Sequence, residues 1–195
     1  MNRIKKIADI EPGDHICHLY KTKEEHRAII MPFLRQGLER GEKVIYIVDT
    51  PIVEPFLGYL QDNGGDAQLY LTRGQLKILG IEGSYMREGV FDPDRTINML
   101  RAETEKALAE GYLALRVTGE MTWALKGLPG SGRLIEYEKK VNQFLIGSKC
   151  SAICQYDRRR FHLTMLLDVI ANHPVAAIGT EIFGKFLDAT DRLLK

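Results

Sequence analysis

The sequence predicts an α/β fold, a three-layer sandwich in which helices cover both faces of a mainly parallel central sheet. Two observations carry this. Short apolar, β-branched runs alternate with longer amphipathic stretches along the whole chain, and such alternation builds right-handed crossovers between parallel strands. In addition, Tyr112 to Val117 follows the helix-ending Glu110-Gly111 and runs straight into Thr118-Gly119-Glu120, the pattern of a strand buried on both faces. In open α/β sheets ligands collect outside the carboxyl ends of the strands, so Thr118, Glu120 and Trp123 fall where binding chemistry is expected. A carboxylate just past a buried strand needs a partner, which favours a role for Glu120. The plainer alternatives are a tight turn at Gly119 and a core position for Trp123.

Taken in order, Met1 to Ile10 reads as an amphipathic lead-in, and Glu11-Pro12-Gly13-Asp14 turns the chain into a strand, His15 to Tyr20. Alternation puts His15, Cys17 and Leu19 on one face and Ile16, His18 and Tyr20 on the other. Thr22 with Glu25 has capping-box spacing, and Ile29, Ile30, Phe33, Leu34 and Leu38 form the apolar stripe of the helix that follows. That helix can bend at Pro32 and stops at Gly41. Lys43 to Val48 is a second strand, ending at Asp49-Thr50-Pro51; a helix from about Ile52 to Leu60 is broken at Asn63-Gly64-Gly65-Asp66. Gln75 to Leu79 is a third strand, and Gly80 to Gly89 reads as a surface loop with a helical piece around Tyr85. Phe91-Asp92-Pro93-Asp94 starts a helix that reaches Glu110. After the central strand come a glycine-rich loop, Lys126 to Arg133, an amphipathic helix through Leu145, a strand from Lys149 to Tyr156 ending at Asp157, a helix from Leu163 to Ala171, a short strand from Pro174 to Gly179 and a helix from Lys185 to Leu194.

The 195 residues suit one domain with enough apolar side chains to close a core. A formal net charge of +1 argues against a dedicated nucleic-acid surface. Arg158-Arg159-Arg160 and Lys5-Lys6 read as solvated faces. Neither a signal peptide nor an apolar run of membrane-spanning length is present. Cys17, Cys150 and Cys154 have no CxxC spacing, which places the chain in a reducing, cytoplasmic setting with thiols that are buried and slow to react.

Two segments imitate a phosphate-binding loop. Gly127 to Leu134 and Gly179 to Phe186 share the glycine spacing of GxxxxGK[ST]. The first has Arg133 for the lysine and Leu134 for the hydroxyl residue; the second has Phe186 in place of the hydroxyl. Both are read as turns, and ATP with magnesium is not expected to bind. His15, Cys17 and His18 invite a metal reading, but only His15 and Cys17 share a face, so further ligands would have to come from Cys150, Cys154 or His173. No nucleophile-and-base signature occurs. What recurs is a polar or aromatic residue at each strand's carboxyl end. His18, Tyr20, Asp49, Thr118, Glu120, Trp123, Gln155 and Asp157 are therefore the candidate lining of a small-molecule pocket. Asp157 has a simpler role available, pairing with one of the arginines that follow it.

Six separated motifs resemble the MEDS domain, the methanogen and methylotroph sensory domain found in a dichloromethane-responsive repressor. They are Gly13 to Tyr20, Gly41 to Asp49, Phe91 to Arg95, Arg116 to Trp123, Leu134 to Glu138 and Cys154 to Phe161, in the family's order. The match runs from about Gly13 to about Ile182, within one sensory domain over 1–195 whose last segment, 183–195, is a helix. The resemblance implies a RecA/KaiC-like fold with a degenerate nucleotide site that senses small hydrocarbon derivatives. Tyr20-Lys21-Thr22-Lys23-Glu24-Glu25 agrees, because it holds no glycine where the phosphate loop would be. Where an active relative carries a strand-ending magnesium carboxylate, this strand has Thr118-Gly119, with Glu120 beyond. The resemblance thus implies a non-catalytic sensor without cofactor, nucleic acid or membrane, signalling through a protein partner such as a kinase or a transcription regulator. A homo-oligomer stays open. The competing expectations are a residual nucleotide hydrolase or phosphotransferase using Glu120 and Asp49, and a metal or redox sensor through Cys17.

Overall fold

Alternating apolar strands leave their backbone groups no partner except one another, and here they assemble into one seven-stranded sheet. The computed structural model describes residues 6–49, 54–184 and 186–194. Its strands are β1 (His15–Tyr20), β2 (Lys43–Val48), β3 (Leu76–Gly80), β4 (Leu115–Glu120), β5 (Cys150–Asp157), β6 (Val175–Ile178) and β7 (Glu181–Phe183), in the order β3-β2-β4-β5-β1-β6-β7. Every pairing is parallel except that of β6 with β7. The helices are α1 (Lys23–Glu39), α2 (Glu54–Asp62), α3 (Ala67–Thr72), α4 (Pro93–Ala109), α5 (Leu134–Leu145), α6 (Leu163–Ala171) and α7 (Phe186–Leu194).

The pleat divides the core in two. Ile16, Val44, Tyr46, Val48 and Ile153 point to the layer formed by α1, α2 and α3, where they meet Ile30, Phe33, Leu34 and Phe56. Cys17, Leu19, Ile45, Ile47, Val117, Cys154 and Tyr156 point to the opposite layer, against Leu100, Tyr137, Val141, Val169 and Leu193. Both faces are thus buried, which is why these strands read as continuous apolar runs. Local signals act as expected at the helix starts: Thr22 Oγ1 accepts from Glu25 N at 3.2 Å, and Asp92 Oδ1 accepts from Arg95 N at 2.8 Å with Pro93 opening α4. Pro32 sits inside an uninterrupted α1.

Three expectations change. The central strand begins later than Tyr112 and takes in Thr118, Gly119 and Glu120, so Gly119 is a strand residue rather than a turn. A Cβ at Gly119 would lie 2.0 Å from Tyr85 Oη, so it is glycine because the Tyr85 side chain rests on the strand. Consequently 80–89 is no mere surface loop: Ile81, Ser84, Tyr85 and Met86 are buried, and the Tyr85 ring stacks on Trp123 with centroids 5.0 Å apart. Finally, the turn expected at Gly179 leads into a further strand, β7, before the last helix, which makes a β6–β7 hairpin. The expectations for Met1 to Lys5, Thr50 to Val53 and Lys185 lie outside the described residues.

Candidate functional site at the carboxyl edge of the sheet

The register brings most of the predicted residues together. His18 pairs with Gln155, Tyr20 with Asp157, Tyr46 with Thr118 and Glu120 with Gln155, and alternation turns all of these side chains toward the α1 layer. A hydrogen-bonded row results. Thr118 Oγ1 donates to Ile153 O at 2.8 Å and accepts from Gln155 Nε2 at 2.7 Å; Gln155 Oε1 meets His26 Nε2 at 2.6 Å. The amide oxygen can only accept, so His26 carries its proton on Nε2. The His26 ring packs 4.7 Å from Tyr20 and 6.2 Å from His18, whose Nε2 meets the carbonyl of Gly179 at 3.1 Å.

Glu120 is the charged centre. Oε2 accepts from Asp49 N at 3.0 Å and Oε1 lies 3.5 Å from Tyr46 Oη. Burial pushes its carboxyl up, and the Asp49 charge adds to this against the backbone hydrogen bond. Burial likewise raises the phenols of Tyr46 and Tyr20, with Glu120 as the next cause in both, and lowers His18 to about 3. This edge therefore holds neutral aromatics and imidazoles around one carboxylate. Beside it opens a cleft of about 240 Å³ between α1 and α2, lined by Lys23, His26, Arg27, Met31, Tyr46, Pro55, Phe56 and Glu120.

Of the eight predicted residues, only Glu120 lines this cleft directly. His18, Thr118 and Gln155 are fully buried behind it. Asp49 is turned away, accepting from Thr122 Oγ1 at 3.0 Å and Lys126 Nζ at 2.5 Å. Asp157 takes the simpler role: Arg159 Nη2 pairs with it at 2.6 Å and holds its carboxyl below the usual range although burial opposes ionisation. Trp123 departs altogether. It is fully buried on the α5 side of the sheet, between Tyr85 and Phe91, because the turn after β4 carries it over the edge into the other core. Sequence reasoning missed Tyr46 and His26. Tyr46 shares the alternation phase of Glu120 on a neighbouring strand, a signal that strand register alone makes visible.

The β1–α1 junction holds two residues, Lys21 and Thr22. The donors at this helix start are taken by the chain's own side chains: Glu25 Oε2 accepts from Lys21 N at 2.6 Å and Thr22 Oγ1 from Glu25 N. One carboxylate and one hydroxyl thus occupy amides that a phosphate loop would present to its ligand. The other look-alike is tied down as well. Gly130, at φ +83, lies so close to Phe91 that a Cβ would come within 2.1 Å of its carbonyl oxygen, and Phe91 N donates to Pro129 O at 2.8 Å.

On the far face, His15, Glu138, Cys154 and His173 bring one ligand atom each within 4.8 Å of one another; they are the described residues able to hold a metal ion together. Cys17 is not among them. Instead its Sγ lies 3.8 Å from Val175 O, and burial raises its thiol, as it does those of Cys150 and Cys154. All three cysteines are free.

Among solved structures, the chain is similar to a KaiC-like protein from Pyrococcus horikoshii OT3, with a TM-score of 0.58 at 14% identity over 86% of this chain and 71% of that one. It is also similar to the flagellar accessory protein FlaH of Methanocaldococcus jannaschii, with a TM-score of 0.60 at 12% identity over 91% and 78%. These likenesses establish a RecA/KaiC-like fold. In sequence it is 28% identical over 167 residues to the transcriptional repressor DcmR of Methylorubrum extorquens, covering 85% of this chain and 60% of the repressor. No helix among the described residues is long and apolar enough to cross a membrane. The family described as MEDS, the methanogen/methylotroph, DcmR sensory domain, matches residues 14–174, and this chain belongs to it.

Proposed function

We propose that this domain is a non-catalytic sensor that binds a small organic molecule in the cleft between α1 and α2 and passes the signal to a protein partner. The observation that carries the reading is Glu120: a carboxylate held by Asp49 N–H and Tyr46 Oη, its pKa raised, facing an open cleft with Met31 and Phe56 opposite. Such a carboxyl can anchor one polar group while aromatic and thioether surface covers an apolar remainder. A volume of about 240 Å³ suits a ligand smaller than a drug, such as a short hydrocarbon derivative. The repressor relative supports a regulatory output, with a transcription regulator or kinase as partner, and the free buried cysteines suit a cytoplasmic setting.

The phosphotransferase alternative lacks support at the junction where it needs it most. Phosphoryl transfer depends on positioned cations and free amides, and at the β1–α1 junction Glu25 Oε2 occupies the Lys21 amide. The test is a thermal-shift and calorimetric screen with short-chain alcohols, amines and halides. At least one probe should raise the midpoint of the wild type, and Glu120→Gln and Tyr46→Phe should abolish that response while leaving the unliganded midpoint close to wild type. An undiminished response in both variants would sink the assignment.

A further inference from the structure

The second polar constellation lies on the opposite face of the sheet, sealed from solvent, and four separate segments supply it. His15 comes from β1, Cys154 from β5, Glu138 from α5, and His173 from the connection between α6 and β6. All four are buried. His15 Nε2 and His173 Nε2 each stand 3.4 Å from Glu138 Oε2, while Cys154 Sγ stands 3.5 Å from His15 Nε2 and 3.4 Å from Glu138 Oε2. Zn–N and Zn–O bonds of about 2.0 to 2.1 Å and a Zn–S bond of about 2.3 Å, at tetrahedral angles, require ligand-to-ligand edges of about 3.3 to 3.6 Å. These four edges match, and the remaining two of the six lie within 4.8 Å.

The surrounding hydrogen bonds decide which atoms carry protons. Asn142 Nδ2 donates to the carbonyl of Asn172, which turns Asn142 Oδ1 toward His15 Nδ1 at 2.8 Å. The amide oxygen accepts only, so His15 is protonated on Nδ1. His173 Nδ1 lies 2.7 Å from the carbonyl of Val169 and is a donor for the same reason. Each ring therefore turns its Nε2 inward, where His173 Nε2 stands 3.4 Å from Glu138 Oε2 without a hydrogen bond. Glu138 Oε1 is engaged by the Tyr156 hydroxyl, so Oε2 also faces inward. Four ligand atoms, from two rings, a carboxylate and a thiol, converge on one point. A carboxylate sealed from solvent is costly unless positive charge or donated protons meet it, and a cation bound at this point would do so. Metal-bound histidines characteristically donate their other ring N–H to an amide or carbonyl oxygen, as both do here.

We propose that His15, Glu138, Cys154 and His173 form a tetrahedral site for a zinc-class divalent ion, which clamps α5 and the α6–β6 connection to the sheet. The donor set of two imidazoles, a thiolate and a carboxylate, with no open position, is that of a structural rather than a catalytic centre. Binding releases the Cys154 proton to solvent. Neither the ligand cleft nor Glu120 takes part, so this inference stands apart from the sensing role.

The purified full chain is stripped with a chelator and titrated with Zn²⁺ and Co²⁺. The wild type should take up one equivalent of either ion, gain thermal midpoint with Zn²⁺, and show tetrahedral ligand-field bands plus a thiolate-to-cobalt charge-transfer band with Co²⁺. Cys154→Ser should lose that band, Cys17→Ser should keep it, and His173→Gln should weaken Zn²⁺ binding by at least about tenfold. Folded wild type that shows neither the band nor a Zn²⁺-dependent midpoint rise would overturn the proposal in favour of a shared proton only, as would a full band in Cys154→Ser. Should the variants fail to fold, the wild-type cobalt spectrum and midpoint still decide.

Discussion

One sheet presents two polar constellations on its two faces, and they differ in what satisfies them. On the α1 side, Glu120 and Tyr46 border an open cleft, and their pKa values are raised by partial burial. On the α5 side, Glu138 is fully buried; burial alone would push its carboxyl up, but His173 and His15 hold it below the usual range, while the Tyr156 hydroxyl meets its other oxygen. His15 is shifted down by burial first and then by His173. The contrast teaches that a carboxylate on a strand edge can keep one side open to a cleft, whereas one sealed under a helix must be met by groups already in place. An open site should therefore report substitutions through ligand response, and a sealed one through stability.

The largest expected effect is at Trp123, a residue of the sealed side that the sequence had placed with the open one. Trp123→Ala should cost about 3 to 5 kcal/mol of unfolding free energy in chemical denaturation, through lost burial and the cavity between Tyr85 and Phe91. If it instead abolished ligand response at unchanged stability, the division between the faces would fail.

His18 tests the boundary between the two regions, being buried yet on the α1 side. Its folded pKa of about 3 lies below the unfolded value of 6.5. The unfolded chain thus binds a proton that the native state refuses, so stability present above pH 6.5 is lost as pH falls toward 3, by an amount on the order of a few kcal/mol. Imidazole NMR of the native protein should show His18 neutral at pH 5; a protonated ring there would contradict this.

The smallest effect is expected at Glu120. Its folded pKa is raised, so the native state binds the proton more readily than the unfolded chain does; its contribution is favourable below the unfolded pKa of 4.5 and is lost as pH rises through the folded value. Glu120→Gln should therefore gain on the wild type between pH 4 and pH 7, by less than about 1 kcal/mol because the side chain is partly solvated. A variant that loses ground over that range would place Glu120 in a structural ion pair.

Much of this protein was readable without coordinates. Parallel strands buried on both faces must be apolar throughout, and helix caps act within four residues, so β1, β2, β5 and the starts of α1 and α4 declared themselves at Thr22 and Asp92. The absence of glycine from Tyr20 to Glu25 already argued against a phosphate loop there, since such a loop draws on glycine's backbone freedom. Positions at strand carboxyl ends also grouped His18, Thr118, Glu120 and Gln155 at one edge of the sheet. Three things needed the tertiary structure. Trp123 follows the strand through a turn, where the two-residue period ends and no local rule sets direction. Tyr46 and His26 join Glu120 only through strand order, which places β2 beside β4 and α1 above both. Glu138 is the sharpest case. It lies inside the apolar stripe of Leu134, Tyr137, Val141 and Leu145, a signal that a buried charge awaits partners; but those partners, His15, Cys154 and His173, arrive from three other segments, and their meeting is fixed by crossover geometry that no local pattern encodes.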